Sequence, residues 1–272
     1  MNTTNKQNRP DSKGIAVVTG ASAGLGAVYA DRLAQRGYDL ILVARRAERL
    51  DAMAQQLNAK YGVEVNNLVL DLADPQGLER LAAEITSNPR ISMLVNNAGI
   101  ATLAPIADLT GAQIEAMDDL NVRTVVRLSQ LALQKFLERN AGTIINIGSV
   151  LSFHTFGLSG IYSGTKGYVM NFTRGLQIAA EGTGVRVQLV LPASTATELW
   201  DLAGVPLASL NQSALMKTEH CVDAALAGLD QGELVTLPSV EDKQLWETYD
   251  AARAALFAAT QTGKPASRYG IA

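Results

Sequence analysis

The stretch Ile15-Ala16-Val17-Val18-Thr19-Gly20-Ala21-Ser22-Ala23-Gly24-Leu25-Gly26 decides the fold. Its apolar start reads as a strand, and the residues from Gly24 onward read as a helix over about 24–37. The glycines sit directly between the two. A turn of that kind needs residues that tolerate positive φ, and a phosphate approaches the backbone closely only where no Cβ intrudes. The helix N-terminus then offers unpaired N–H groups and a positive dipole end to a pyrophosphate. Gly20, Ser22, Gly24, Leu25 and Gly26 are therefore candidate cofactor contacts, whereas Gly37, beside the second strand, reads as a helix cap.

The alternation continues outward from that turn. Further strands are expected at 40–43, 63–70, 92–95, 143–147, 185–191 and 234–237. Helices are expected near 46–60, 75–87, 110–139, 160–181 and 218–231, and a last one over 241–260. Apolar strands spaced by helices of this length mean a parallel sheet covered on both faces. The fold class is α/β, a Rossmann-type doubly wound sheet. No repeat, low-complexity segment or proline-rich linker divides it, so a single domain is assigned to residues 14–237. The polar residues 1–13 read as a tail without a secretory signal, and residues 238–272 as a C-terminal helical extension. Scattered apolar side chains among small polar ones over 193–217 suggest a mobile segment covering a pocket.

Composition narrows the function classes. Apolar residues make up 47% of the 272, enough for a sizeable core. No charge-free run approaches the roughly 20 residues that span a bilayer, so no membrane partner is expected. A formal charge of −3, with no basic run beyond Arg45-Arg46, argues against a nucleic-acid surface. Cys221 is the only cysteine, which excludes an intramolecular disulfide and a cysteine-rich metal site and fits a reducing cytoplasm. His154 and His220 are far apart and lack partners at metal spacing, so no metal is expected. Loop residue His154 is a candidate substrate contact, whereas His220 and Cys221 read as packing or capping residues.

The chemistry is carried by Tyr162-Ser163-Gly164-Thr165-Lys166, with Ser149 upstream at the end of an apolar run. A tyrosine and a lysine at i and i+4 share one helix face, which sets an ammonium beside a phenol. A free tyrosine titrates near ~10, so acid/base work at neutral pH needs a shift of roughly three units, and one cation supplies about 1–3. A second cation, such as an oxidised nicotinamide ring, would help. Ser149 would hold the reacting oxygen. Ser152, Ser163 and Thr165 read as structural hydroxyls.

Several motifs occur in order at the strand ends: the G-x-x-x-G-x-G turn, Asp71-Leu72, Asn96-Asn97-Ala98-Gly99, Asn121 in a helix, and Ser149/Tyr162/Lys166. On these the chain resembles the short-chain dehydrogenase/reductases over residues 14–237. The resemblance implies an NAD(P)-dependent oxidoreductase in which Tyr162 exchanges a proton with the substrate oxygen and Ser149 hydrogen-bonds it. Lys166 would lower the tyrosine pKa and bind the nicotinamide ribose, and Asn121 would hold a water linking the lysine to solvent. Asp71 and Leu72 are implied at the adenine, and Asn96, Ala98 and Gly99 along the ribose. Asn97 stands open between bracing a strand and serving the site. Residues 192–197 match the family's P-G-x-x-x-T with Ala193 in place of the usual glycine. Pro192, Thr195 and Thr197 are implied as cofactor contacts there, Thr197 at the carboxamide.

The second strand ends Val43-Ala44-Arg45-Arg46. Ala44 stands where NAD-users commonly place an acidic residue for the ribose hydroxyls, and Arg45 can present a planar fork to a 2′-phosphate. NADP(H) is therefore expected over NAD(H), with Arg46 a solvated loop charge. Leu151, Phe153, Phe156, Leu158 and the segment from Leu199-Trp200 to Leu215 suggest a small-molecule carbonyl or alcohol substrate with apolar substituents. A catalytically silent NADP(H)-binding sensor and an enoyl reductase of the same fold are the alternatives. The resemblance also implies a homodimer or homotetramer paired through the helices near 110–139 and 160–181. Val122, Val125, Val126 and Leu133 would serve either that contact or the sheet. In the extension, the stripe Leu245, Trp246, Ala252, Ala255 and Leu256 is expected to pack, as a lid or against a subunit.

Overall fold

Each strand of the sheet runs parallel to its neighbours, so each connection must cross a face of the sheet. The computed structural model describes residues 12–271; of the tail expected at 1–13, all but Ser12 and Lys13 lies outside the described residues. The strands are β1 (Ile15–Thr19), β2 (Asp39–Ala44), β3 (Val65–Val69), β4 (Ile91–Asn96), β5 (Gly142–Ile147), β6 (Val185–Val190) and β7 (Val235–Thr236). Between them run α1 (Gly24–Gln35), α2 (Ala47–Tyr61), α3 (Pro75–Ser87), α4 (Gly111–Asp118), α5 (Thr124–Glu138), α6 (Gly160–Ala179), α7 (Leu199–Leu202) and α8 (Thr218–Asp230). The strand order is β3-β2-β1-β4-β5-β6-β7. The winding direction reverses between β1 and β4, and in such sheets the crevice beyond the strand C-termini at that reversal takes the ligand.

Side-chain alternation along the strands divides the core in two. Ala16, Val18, Leu40 and Leu42 face Tyr29 and Leu33 of α1, Leu50 of α2 and Val222 of α8. Ile15, Val17, Ile41 and Leu94 face Leu81 of α3, Leu128 and Phe136 of α5 and Leu176 of α6. All these side chains are buried. At about 25 cal/mol per Å² of apolar surface removed from water, this double layer is the main force holding the sheet.

The single helix expected near 110–139 is interrupted. α4 passes into a π turn at Asp119–Arg123 before α5 begins, and Asn121 sits at its centre, fully buried. A π turn adds one residue to a helical turn and displaces the side chains after it, which is why such turns recur at functional positions. The segment over 193–217 is also more ordered than expected: α7 is followed by 3₁₀ turns at Leu207–Ser209 and Gln212–Ala214.

Two compact units divide the chain, one ending at Pro238 and the other beginning at Ser239. The second is built on α9 (Gln244–Ala259), where the rings of Trp246 and Tyr249 lie 5.2 Å apart. Leu245 and Leu256, on the stripe expected to pack, are exposed, as is Phe257 beside it.

Candidate active site

The turn between β1 and α1 needs its glycines for conformation and for close packing. Gly20 and Gly24 take φ of +66° and +55°, which side-chain-bearing residues adopt only under strain. A Cβ on Gly26 would strike the Gly20 carbonyl. Behind the turn, Asn97 Nδ2 donates to the Thr19 carbonyl at 2.9 Å, and Thr19 Oγ1 accepts from the backbone N–H groups of Asn97 and Ala98, each at 3.0 Å. Asn97 therefore braces the turn. The N-terminus of α1 has neither a side-chain cap nor an acidic residue in its first turn, whereas Asp74 caps α3 and Thr110 forms a capping box on α4. The α1 N–H groups thus remain available to an anion.

Four side chains expected to act together do meet at the C-terminal end of β5. Burial pushes the Tyr162 phenol up to about 12, with the hydrogen bond from Ser149 pulling the other way. Lys166 lies on the same helix face, its Nζ 5.7 Å from the Tyr162 ring centroid and donating to the Ile147 carbonyl at 3.0 Å. Burial pulls this lysine down to about 8. Desolvation is therefore the dominant influence on the phenol, with Ser149 opposing it. Ser149 Oγ accepts from Leu151 N at 3.1 Å, and Ser152 Oγ in turn accepts from Ser149 N at 3.3 Å. Ser152 is a brace for Ser149.

Asn121 donates through Nδ2 to the Ile100 carbonyl at 2.8 Å and to Thr165 Oγ1 at 3.1 Å, while Oδ1 accepts from Ile100 N at 2.9 Å. Both amide protons are used, so a water could meet this side chain only at the remaining lone pair of Oδ1. Gly99 lies between these groups: a Cβ there would stand 3.1 Å from Asn121 Oδ1 and 3.6 Å from Lys166 Nζ. Thr165 Oγ1 donates to the Tyr162 carbonyl at 2.8 Å and Ser163 Oγ to Ser159 Oγ at 2.9 Å, both structural bonds.

Several expected cofactor contacts point elsewhere. Asn96 faces inward, donating to Ser129 Oγ at 2.8 Å and to Asn146 Oδ1 at 2.9 Å, so only its backbone can meet a ribose. Leu72 packs in the core, and its carbonyl accepts from Thr124 Oγ1. Asp71 stands at the surface, accepting from Ala73 N at 3.0 Å and 3.7 Å from Arg45 Nη1. Thr195 is buried with its hydroxyl on the Ala193 carbonyl, and the Pro192 carbonyl accepts from Val150 N. Thr197, by contrast, lies against the glycine turn, its Cγ2 within 3.2 Å of where a Gly24 Cβ would stand.

Arg46 is exposed, as a solvated loop charge would be, but it is also paired. Its Nε and Nη2 donate to Ser22 Oγ at 3.1 and 3.0 Å, and its Nη1 reaches Glu198 at 2.8 Å. Arg45 is the more exposed of the pair, with 68% of its side-chain surface open. Glu198 was missed in the sequence because its partners are far away in the chain. On the substrate side, Phe153, Phe156 and Leu158 are exposed, and Ile106 approaches Gly160.

Comparison with known proteins agrees with this geometry. A short-chain dehydrogenase from Sphingobium yanoikuyae in complex with NADPH superposes with a TM-score of 0.91, at 40% identity over 94% of this chain and 99% of that one. A bulky-bulky ketone specific alcohol dehydrogenase from Comamonas testosteroni superposes at 0.86, with 33% identity over 94% of this chain and 98% of that one. A very-long-chain 3-oxoacyl-CoA reductase of Anas platyrhynchos is 36% identical over 190 residues, 68% of this chain and 60% of that protein's length. This chain therefore spans about three fifths of that relative. The profile of the short chain dehydrogenases matches residues 14–204, from the approach to β1 to just beyond α7, and the chain belongs to that family.

Proposed function

We propose that the protein is an NADPH-dependent oxidoreductase acting on a carbonyl compound or secondary alcohol with apolar substituents. One observation carries this reading: a phenol hydrogen-bonded to Ser149 shares its helix face with a buried lysine, in a chain whose first strand passes into its first helix through glycines at positive φ, Gly20 and Gly24. The uncapped N-terminus of α1 suits the pyrophosphate of a dinucleotide. A bound reduced nicotinamide supplies the hydride.

The residues divide the remaining work. Tyr162, neutral at physiological pH with its pKa at about 12, is the proton donor to the carbonyl oxygen. Ser149, whose Oγ accepts the Leu151 N–H and whose hydroxyl bonds the phenol, would turn that hydroxyl to the same carbonyl oxygen. Lys166, at about 8, is mostly protonated at pH 7; with one N–H on the Ile147 carbonyl it has others for a ribose and for the phenol side. Asn121 holds the π turn against Ile100 and Thr165, and a water on its spare lone pair would link the lysine to solvent. Arg45, Arg46 and Ser22 make up the 2′-phosphate site that favours NADP(H) over NAD(H). Asp71, Ala98 and Thr197 line the cofactor path, and Leu25, Leu72, Asn96, Pro192 and Thr195 shape it from behind.

The loop residues Phe153, Phe156, Leu158 and Leu202 are apolar and exposed, which suits a substrate with bulky hydrophobic arms. A groove of about 670 Å³ between the π turn, α5 and α6, with Val122, Val126 and Tyr168 in its lining, supports pairing of two copies through these helices. Among the described residues no helix is long and apolar enough to cross a membrane, and the lone cysteine suits a reducing cytoplasm.

A panel of ketones, aldehydes and enoyl thioesters tests the assignment through loss of NADPH absorbance. Turnover of ketones with apolar arms is expected, with kcat/KM at least tenfold higher for NADPH than for NADH, a discrimination of about 1.4 kcal/mol. Turnover of enoyl thioesters alone, or of nothing despite tight NADPH binding, would refute it.

A further inference from the structure

The segment after β6 carries a carboxylate that reaches back across the glycine turn. Glu198 Oε2 accepts from Arg46 Nη1 at 2.8 Å, and its Oε1 accepts from Arg49 Nη1 at 2.7 Å. Arg46 simultaneously holds Ser22 of the turn through Nε and Nη2. The preceding residue, Thr197, rests directly on the turn at Gly24. The segment is stiffened at its other side: Ala196 N donates to the Met216 carbonyl and Met216 N to the Ser194 carbonyl, each at 2.9 Å. Trp200 Nε1 donates to the Thr195 carbonyl, also at 2.9 Å. Residues 194–198 thus form a strap with a hydrogen-bonded base and an ionic fastening on the wall formed by the start of α2. The two guanidiniums hold the Glu198 carboxyl below the usual carboxylate range, so the fastening is charged at neutral pH.

Resting on the dinucleotide reading above, we propose that Glu198 is a cofactor-positioning residue whose carboxylate, shared between Arg46 and Arg49, fastens the strap over the glycine turn and sets how long the dinucleotide stays bound. Thr197 rests on the turn that would hold a pyrophosphate, so exchange would require the ion pairs of the neighbouring Glu198 to open. The sharing decides between two opposite roles. A carboxylate paired with Arg46 alone would compete with a 2′-phosphate for that guanidinium and weaken NADPH selectively. Here the second oxygen is held by Arg49, which is not bonded to Ser22, so the strap stays fastened when Arg46 turns to a phosphate.

The test is the dissociation rate of NADPH and of NADH, followed by the change in cofactor fluorescence in a stopped-flow mixer. Wild type, Glu198→Gln, Arg49→Gln and the double variant are compared. Both single variants are expected to release both cofactors about threefold to tenfold faster, the scale for losing partly exposed ion pairs. The double variant should be no faster than Glu198→Gln, because that change alone already cuts the pair that Arg49→Gln removes. Wild-type release should quicken with salt more steeply than that of Glu198→Gln, which keeps only the salt dependence of the phosphate contacts. Unchanged release, independent effects that multiply in the double variant, or a Glu198→Gln protein that tightens on NADPH alone each overturn the proposal. A wild-type protein that binds neither dinucleotide overturns the oxidoreductase reading together with this one, whereas binding with unchanged release overturns only this one.

Discussion

The two ends of the parallel sheet treat buried charge in opposite ways. At the N-terminal end, Asp39 of β2 is 2% exposed and takes Arg90 Nη2 at 2.5 Å, Ser12 Oγ at 2.9 Å and Glu64 N at 2.9 Å. Its donors come from the flanks of β1, β3 and β4, so the cluster clips together the strand starts. At the C-terminal end, Lys166 is 6% exposed, and its one hydrogen bond among the described residues goes to the Ile147 carbonyl. An ammonium carries three donors, so this one keeps capacity in reserve. Burying a charge without full pairing is costly, and a protein sustains that cost where a ligand supplies the missing partners. Satisfied burial marks architecture, and unsatisfied burial marks the site.

The sharpest way to break the contrast is Tyr162→Phe. Removing the proton donor should cut kcat by about 10²–10⁴, while the midpoint of thermal unfolding moves little. Retention of more than a tenth of the activity would mean that the phenol is only packing. The counterpart at the other end is Asp39→Ala. It breaks a buried pair, but Arg90 has 34% of its side chain exposed, so water reaches the abandoned cation. The expected loss is about 2–3 kcal/mol in denaturant unfolding, with kcat unchanged. A fall in kcat with little loss of stability would exchange the roles of the two ends.

Lys166→Met probes the strained end from the side of stability. Burial lowers the folded pKa of Lys166 from 10.5 to about 8. Between those values the unfolded chain binds the extra proton, so stability rises with pH across that window and the full penalty is present below about 8. The variant should therefore be inactive yet more stable than wild type at pH 7, by about 1–3 kcal/mol. That advantage should shrink between pH 8 and 10.5, as read from unfolding curves at several pH values. A variant less stable than wild type at pH 7 would show that the Ile147 bond outweighs desolvation.

The fold and the centre of the site were legible because their signals are local. Apolar strands, the glycine turn and the i to i+4 pairing of Tyr162 with Lys166 all fit within a few residues. The direction of the Asn96 side chain was harder to read, because it follows an apolar run, as a ligand contact would. Strand alternation carried the correction: Asn96 is two residues after Leu94, which faces α5, so it points to Ser129 of that same helix. The π turn at Asn121 leaves no mark on helical periodicity. The Arg46–Glu198 pair joins exposed residues 152 positions apart, and only the path of two loops brings them together.

That last pair separates two neighbouring arginines and leads to the smallest effect. Arg45 is 68% exposed and stands 3.7 Å from an Asp71 carboxylate that is itself 46% exposed. Arg46 is fixed to the glycine turn and to the strap. Losing Arg45 removes a screened charge that only a 2′-phosphate would use. Arg45→Ala should therefore raise KM for NADPH about threefold to tenfold and leave NADH within about twofold. Losing Arg46 also frees Ser22 and Glu198, so Arg46→Ala should weaken both cofactors. The comparison is made from kcat/KM for each cofactor at low and high salt, because screening should erase most of the Arg45 effect and less of the Arg46 effect. If Arg45→Ala leaves the NADPH to NADH ratio untouched, the phosphate belongs to Arg46 and Ser22 alone, and the distinction between a selecting arginine and a fastening one collapses into a single residue.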